Sequence, residues 1–212
     1  MNLTNDAPCP QNSDCFSLNV VVWKPLECAT GDADFHAFYR CNSLKTVIVD
    51  TTIKSLPPFV FNDMSWLEDV QLPNTLREIP DNFAAYSQSL RHIRIPDSTK
   101  VIQYAAFYSS RLEDIVIPDK VDHIEAYAFS YCYFLRTVDI GRGIRTIKRY
   151  AFNTNKNLES VTVRSEEPPT LSPNAFYELP PNTVLYVPAP ALEKYRNHPD
   201  WQVFKKIEAI RN

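Results

Sequence analysis

Between Leu112 and Leu158 the chain states one phrase twice. The first copy runs Leu112, Ile115, Ile117, Val121, Ile124, Tyr127, Ala128, Phe129, and the second runs Leu135, Val138, Ile140, Ile144, Ile147, Tyr150, Ala151, Phe152, at a constant offset of 23 residues. A fixed period in this range is the signature of a solenoid. One coil cannot bury its apolar face alone, so it does so against its neighbours.

The frame extends well beyond these two copies. Leading leucines fall at Leu44, Leu67, Leu90, Leu112, Leu135 and Leu158, in steps of 23, 23, 22, 23 and 23. Each opens the pattern Leu-x-x-β-x-β, as in Leu44/Val47/Val49 or Leu158/Val161/Val163. Alternating β-branched residues over so short a run predict a strand with one buried face. The predicted strands are 46–49, 69–72, 92–95, 114–117, 137–140 and 160–163, stacked in parallel at a spacing of about 4.8 Å as one continuous sheet. Leu44, Val47, Val49, Ile53, Leu56 and Phe61, with their equivalents, are expected to point inward. Pro73, Pro96 and Pro118 follow their strands and stop them, since proline donates no ladder hydrogen bond. One coil departs from the pattern: Phe83-Ala84 stands where the others place Ala-Phe.

At 212 residues and 44% hydrophobic content, the chain can bury a sizeable core as one domain. Its expected parts are an N-terminal cap over 1–34, repeats over 35–182, and a C-terminal capping strand and helix over 183–212. The apolar run Leu18–Trp23 is expected to shield the first coil's edge. At the other end, Thr183 to Val187 reads as a last strand and Pro190 is well placed to start a helix. Trp201, Phe204 and Ile207 then cover the final coil. The net charge is −3 and no Lys/Arg run exceeds two, which argues against a nucleic-acid partner. No apolar run is long enough to insert this segment into a bilayer, and Met1 to Gln11 lacks the apolar core of a signal peptide.

With Val47 and Val49 inward, period-2 alternation turns the residues between them outward. The outward set is Thr46/Ile48, Asp69/Gln71, His92/Arg94, Asp114/Val116, Thr137/Asp139 and Ser160/Thr162. These positions vary from coil to coil while the inward ones repeat. Asp69, Gln71, His92, Arg94, Asp114, Val116, Thr137 and Asp139 are therefore the candidate protein-binding residues. Few of them are aromatic anchors, so binding is expected to be weak or multivalent. A plainly solvated face is the competing reading. The residue after each leading leucine alternates in sign: Lys45, Glu68, Arg91, Glu113, Arg136, Glu159. A ladder of salt bridges accounts for this column better than a ligand-facing stripe, because self-neutralised charges project little field.

The stretch Ile124-Glu-Ala-Tyr-Ala-Phe-Ser-Tyr-Cys-Tyr-Phe-Leu135-Arg-Thr-Val-Asp-Ile140 resembles the repeat of the BspA-like leucine-rich-repeat surface proteins of gut and oral bacteria. Their unit reads approximately I-x-x-x-A-F-x-x-C-x-x-L-x-x-V-x-I-P. The resemblance covers about Phe35 to Val187, and the tail from Val184 to Ile207 also resembles the end of such domains. It implies an α/β, β-rich solenoid: a right-handed leucine-rich-repeat superhelix with one parallel sheet and coils of about 23 residues. It further implies a secreted or cell-surface module, monomeric and without catalysis, that adheres to a protein or glycoprotein such as a component of the host extracellular matrix. The departure is glycine. Family repeats often place it after the Ile, where this chain has Gln103, Glu125 and Lys148, so a tighter or more helical turn is expected there.

The residues themselves carry no catalytic signal. His36, His92, His123 and His198 are scattered, and there is no Cys-x-x-Cys, phosphate loop or Gly-x-Ser-x-Gly. No enzyme, cofactor or metal is therefore expected. Of the five cysteines at least one is unpaired within the chain. Cys132 is expected to be a buried free thiol. Cys9, Cys15 and Cys28 are the disulfide candidates of the N-terminal cap; their intervals of 6 and 13 match no common zinc pattern. Cys41 could join either group. Two functions follow: a protein-binding adhesion module, or a structural spacer of a larger surface protein.

Overall fold

The computed structural model describes residues 19–23, 38 and 43–211. Within them the chain winds as a parallel-stranded solenoid with coils of about 23 residues, the architecture expected from the repeat. The coils have three faces, each with its own set of hydrogen bonds between successive coils.

The front face holds the Leu-x-x-β-x-β segments. Val20–Trp23, Thr46–Val49 and Asp69–Gln71 pair in parallel in chain order. Asp114–Ile117, Thr137–Ile140, Ser160–Val163, Val184–Val187 and Lys206–Ala209 form a second parallel set. Register places Ile115, Val138, Val161, Leu185 and Ile207 in one column, each at most 9% exposed. The alternation read from sequence is thus the physical cause of the face: one methyl-rich side chain in, the next out.

The single continuous sheet expected here is divided. Residues 92–95 form no strand, and among the described residues they make no backbone–backbone hydrogen bond. On this face the coil is tied to its successor beside the gap, where Glu113 N–H donates to the Arg91 carbonyl at 2.9 Å. The outward side chains at the gap take other partners: His92 Nδ1 lies 2.7 Å from Asp114, and Arg94 reaches forward to Asp97 at 3.4 Å. Proline alone does not cause the break, because Pro118 closes a full strand.

A second face carries a ladder that the sequence reading did not predict. Two-residue strands at Glu78–Ile79, Val101–Ile102, His123–Ile124, Thr146–Ile147 and Thr170–Leu171 pair in parallel, with the inward Ile or Leu of each at most 9% exposed.

The third face is a succession of turns, neither tighter helix nor strand. Two residues per coil adopt left-handed backbone, and none is glycine: Phe59 and Asp63, Asn82 and Tyr86, Ala105 and Ser109, Tyr127 and Tyr131, Tyr150 and Thr154, Asn174 and Glu178. The alternation sends every second N–H to the next coil. Tyr127, Phe129 and Tyr131 donate to the carbonyls of Arg149, Ala151 and Asn153 at 3.3, 2.8 and 2.9 Å. The intervening N–H groups of Ala128 and Ser130 close turns on Glu125 and Tyr127. Each left-handed side chain costs roughly 1–2 kcal/mol, offset by backbone groups that would otherwise lie unpaired.

Inside runs an aromatic spine, with Phe61, Phe83, Phe107, Phe129, Phe152 and Phe176 in ring contact at 5.0 to 5.6 Å. Phe83 joins it despite its early place in the repeat and is fully buried. Beside the spine, a column of polar side chains captures main-chain carbonyls of the preceding coils. Ser87 donates to Phe61 O, the Cys132 thiol to Phe107 O and Asn155 to Phe129 O, at 3.0, 3.1 and 3.0 Å. This explains the Cys-x-x-Leu element: the position needs a small buried donor. At the C-terminus, helix Leu192–Asn197 and a 3-10 segment at Pro199–Val203 bring Tyr195, Trp201 and Phe204 against the last coil. Trp201 Nε1–H donates to Pro169 O at 3.1 Å, and Lys206–Ala209 then adds a strand to the front face.

Candidate functional site

The gap at 92–95 shapes the front face. It opens a groove of about 630 Å³ whose lining includes Asp69, Gln71, His92, Arg94, Asp114 and Val116. Six of the eight candidate residues therefore converge on one concavity. Leu72, Ile93 and Asp97 also line it, none of them singled out from sequence. Leu72 and Ile93 are inward positions left half-buried, and Val116 is 61% exposed, so the groove has an apolar floor and a charged rim. The signal missed was local: Asp97 lies one residue past Pro96 and three past Arg94, in reach of its guanidinium.

Thr137 and Asp139 lie on the neighbouring strand and do not line the groove. Asp139 is clamped by Arg164, which donates from Nε at 2.8 Å and from Nη2 at 2.6 Å in a bidentate pair. Its carboxylate draws the Arg164 guanidinium pKa upward, first through the hydrogen bond. Gln71 is held by donating to Asp69 at 3.0 Å.

The alternating charge column closes into pairs instead of a ladder. Lys45–Glu68, Arg91–Glu113 and Arg136–Glu159 lie at 2.7, 3.3 and 2.8 Å. Among the described residues no ion pair joins Glu68 to Arg91 or Glu113 to Arg136. The column is a stacking device, because its charges are consumed two by two.

Cys132 is a free, fully buried thiol, as expected, and burial pushes its pKa up to about 11. Cys9, Cys15, Cys28 and Cys41 lie outside the described residues. Among the described residues no cluster of three or more His, Cys, Asp or Glu side chains could hold a metal ion, and no helix is long and apolar enough to cross a membrane.

Comparison with known proteins places this geometry. The profile of the BspA-type leucine-rich repeat region matches in six copies over residues 32–113 and 66–183. A search among curated proteins gave no match. The solved structure of the pneumococcal vaccine antigen PcpA is similar with a TM-score of 0.65 at 18% identity, over 81% of this chain and 43% of that one. The chain thus spans less than half of the pneumococcal protein. The leucine-rich-repeat protein of T. pallidum is similar with a TM-score of 0.61 at 26% identity, over 73% of both chains. On the profile match, which spans most of the sequence, the chain belongs to the BspA-type leucine-rich-repeat family.

Proposed function

We propose that this chain is a non-catalytic binding module of the cell surface or extracellular space, acting as a monomer, whose front-face groove recognises a protein or glycoprotein partner such as a host matrix component. The observation that carries the reading is the convergence of outward, non-repeating side chains on the place where, among the described residues, the front-face ladder is interrupted. A groove with half-buried Leu72 and Ile93 at its floor, exposed Val116 beside them and paired charges at its rim has the apolar-core, polar-rim anatomy of a protein interface. The rim pairs His92–Asp114 and Arg94–Asp97 are exposed and self-compensating, so they tune specificity and approach more than affinity. Family membership and the likeness to a vaccine antigen support an extracellular setting.

The test is a joint substitution, His92→Ala, Arg94→Ala and Asp114→Ala, read by capture of immobilised matrix proteins and host cells. The expected result is loss of capture with thermal unfolding almost unchanged. Capture that survives in full moves the site to the turns or caps. Failure of the unsubstituted chain to capture any partner favours the spacer reading, in which a longer parent protein does the binding elsewhere.

A further inference from the structure

The groove is walled by main chain that nothing pairs. Along the front face the residue after the leading leucine donates its N–H one coil back: Glu68 to Lys45 O, Glu113 to Arg91 O, Arg136 to Glu113 O and Glu159 to Arg136 O, at 2.8, 2.9, 2.8 and 2.8 Å. Among the described residues the step from Arg91 to Glu68 has no such bond. Strand Asp69–Gln71 pairs with Thr46–Val49 on one side only, so its other edge is open, and it faces the unpaired segment 92–95. The slot between them has closed ends. Ser89 Oγ donates to Ser65 O at 2.7 Å and Ser98 Oγ to Leu76 O at 2.6 Å, and between these two points no hydrogen bond joins the two coils among the described residues.

The lining of the groove shows that backbone reaches it. Residues 69–72 and 92–95 line it without a break, whereas the following coil contributes only Asp114, Val116 and Pro118. A paired strand offers alternate side chains to a surface; an unbroken run offers its main-chain edge as well. Unpaired N–H and C=O groups beside a buried residue are rare, and Ile95 is only 2% exposed. An open strand edge is a template for a further extended chain.

Charge narrows the occupant. The lining carries three acids, Asp69, Asp97 and Asp114, against one base, Arg94, with His92 counted neutral. Arg94 is taken by Asp97, and Asp69 has no cation of its own among the described residues: its recorded partner is the Gln71 amide. The flanking Glu68 and Arg91 are spent on Lys45 and Glu113.

Resting on the reading of the groove as a protein-recognition site, we propose that what enters it is an extended peptide segment bearing lysine or arginine, added as a short strand to the open edges at 69–71 and 92–95. Its main chain supplies the N–H and C=O groups that both edges lack. Alternate side chains then rest on Leu72 and Ile93, and those between them turn towards the rim, where a cation meets Asp69. The closed ends limit the paired stretch to about four residues, some 13 Å of strand. A glycan offers hydroxyls but no row of amides at the strand repeat.

The probe is a fluorescein-labelled peptide of alternating valine and lysine, read by fluorescence anisotropy with the full chain. The same peptide N-methylated at alternate residues, a valine-glutamate peptide and a neutral cello-oligosaccharide are the comparisons. The expected result is binding that falls about tenfold or more on N-methylation, falls roughly twofold to fivefold in Asp69→Asn with unchanged thermal unfolding, and slows amide exchange at 92–95. No binding, equal binding of the N-methylated or valine-glutamate peptide, or binding of the oligosaccharide instead overturns strand addition. The two readings fail separately. Matrix-protein capture that is lost in the His92/Arg94/Asp114 variant, beside a peptide indifferent to N-methylation, overturns strand addition alone; capture that survives in that variant overturns the groove as the recognition site.

Discussion

Gly143 lies against the carbonyl of Asp119 in the preceding coil so closely that a Cβ on it would stand 1.9 Å from that oxygen. Gly141, two residues earlier, meets the Asp119 nitrogen and the Pro118 carbonyl carbon at 2.6 and 2.7 Å in the same sense. The turn that follows strand Thr137–Ile140 is therefore laid directly on the backbone beneath it. Asp119 fixes it by accepting from Arg142 N–H at 2.9 Å and pairing with Arg142 Nε at 3.2 Å.

The obstacle to Gly143→Ala is backbone, which has no rotamer to move away. The substitution should cost about 1–3 kcal/mol or more, the range for overpacking a tight contact. Chemical denaturation of the variant measures it; a midpoint within error of the parent would mean that the two coils are not in this contact.

The front-face charges make a pairwise prediction. Double-mutant cycles on Lys45–Glu68 and Arg136–Glu159 should return coupling of roughly 0.2–1 kcal/mol, weakened by salt, as for other exposed pairs. The cycle on Glu68–Arg91 should return a value near zero. Equal coupling at all three would restore the continuous ladder.

Cys132 makes a prediction about pH. Its thiol pKa is raised to about 11 by burial, against an ordinary 9.0, because the thiolate has no water to solvate it. Burial, and next the Glu167 charge, likewise raises Tyr195, whose hydroxyl donates to Ser165 O at 3.0 Å. A raised folded-state pKa contributes stability that is fully present below the unfolded value and lost as pH rises through the folded one. The Cys132 share, on the order of 2 kcal/mol, should thus be intact below pH 9 and disappear towards pH 11. Mass-spectrometric mapping of alkylation should find Cys132 unmodified in the native chain at pH 8 and modified once denaturant is added; rapid native modification would contradict its burial.

Much of the fold was legible because a solenoid repeats its packing demands. The inward set Leu, β-branched, β-branched, Phe recurs with a fixed step, so one coil predicts the rest. The second-face strands were obscured by their length: two residues cannot display a period of two, although the Ile column at 79, 102, 124 and 147 was in view. Phe83 shows the tolerance of the core, since its ring reaches the spine from one position early. The break at 92–95 was hidden because Ile93 and Ile95 satisfy the strand pattern, and pairing depends on what the adjoining coils offer. The candidate residues could be placed on a face by alternation alone. Only the missing rung decided that six of them share a groove while Asp139 is held by Arg164, a residue 25 positions later. Tyr127 and Tyr150 read from sequence as positions of the repeat, because sequence cannot say which side chains of a turn remain exposed.

The central claim is that the unpaired segment 92–95 is the recognition site, and amide hydrogen exchange tests it most directly. In the free chain the amides of His92, Ile93, Arg94 and Ile95 should exchange faster than those of Asp69–Gln71 and Asp114–Ile117, which sit in strand ladders. With a captured matrix protein bound, new protection should centre on 92–95 and its two flanking strands. Slow exchange at 92–95 in the free chain, or protection on binding that spares this segment, would contradict the account.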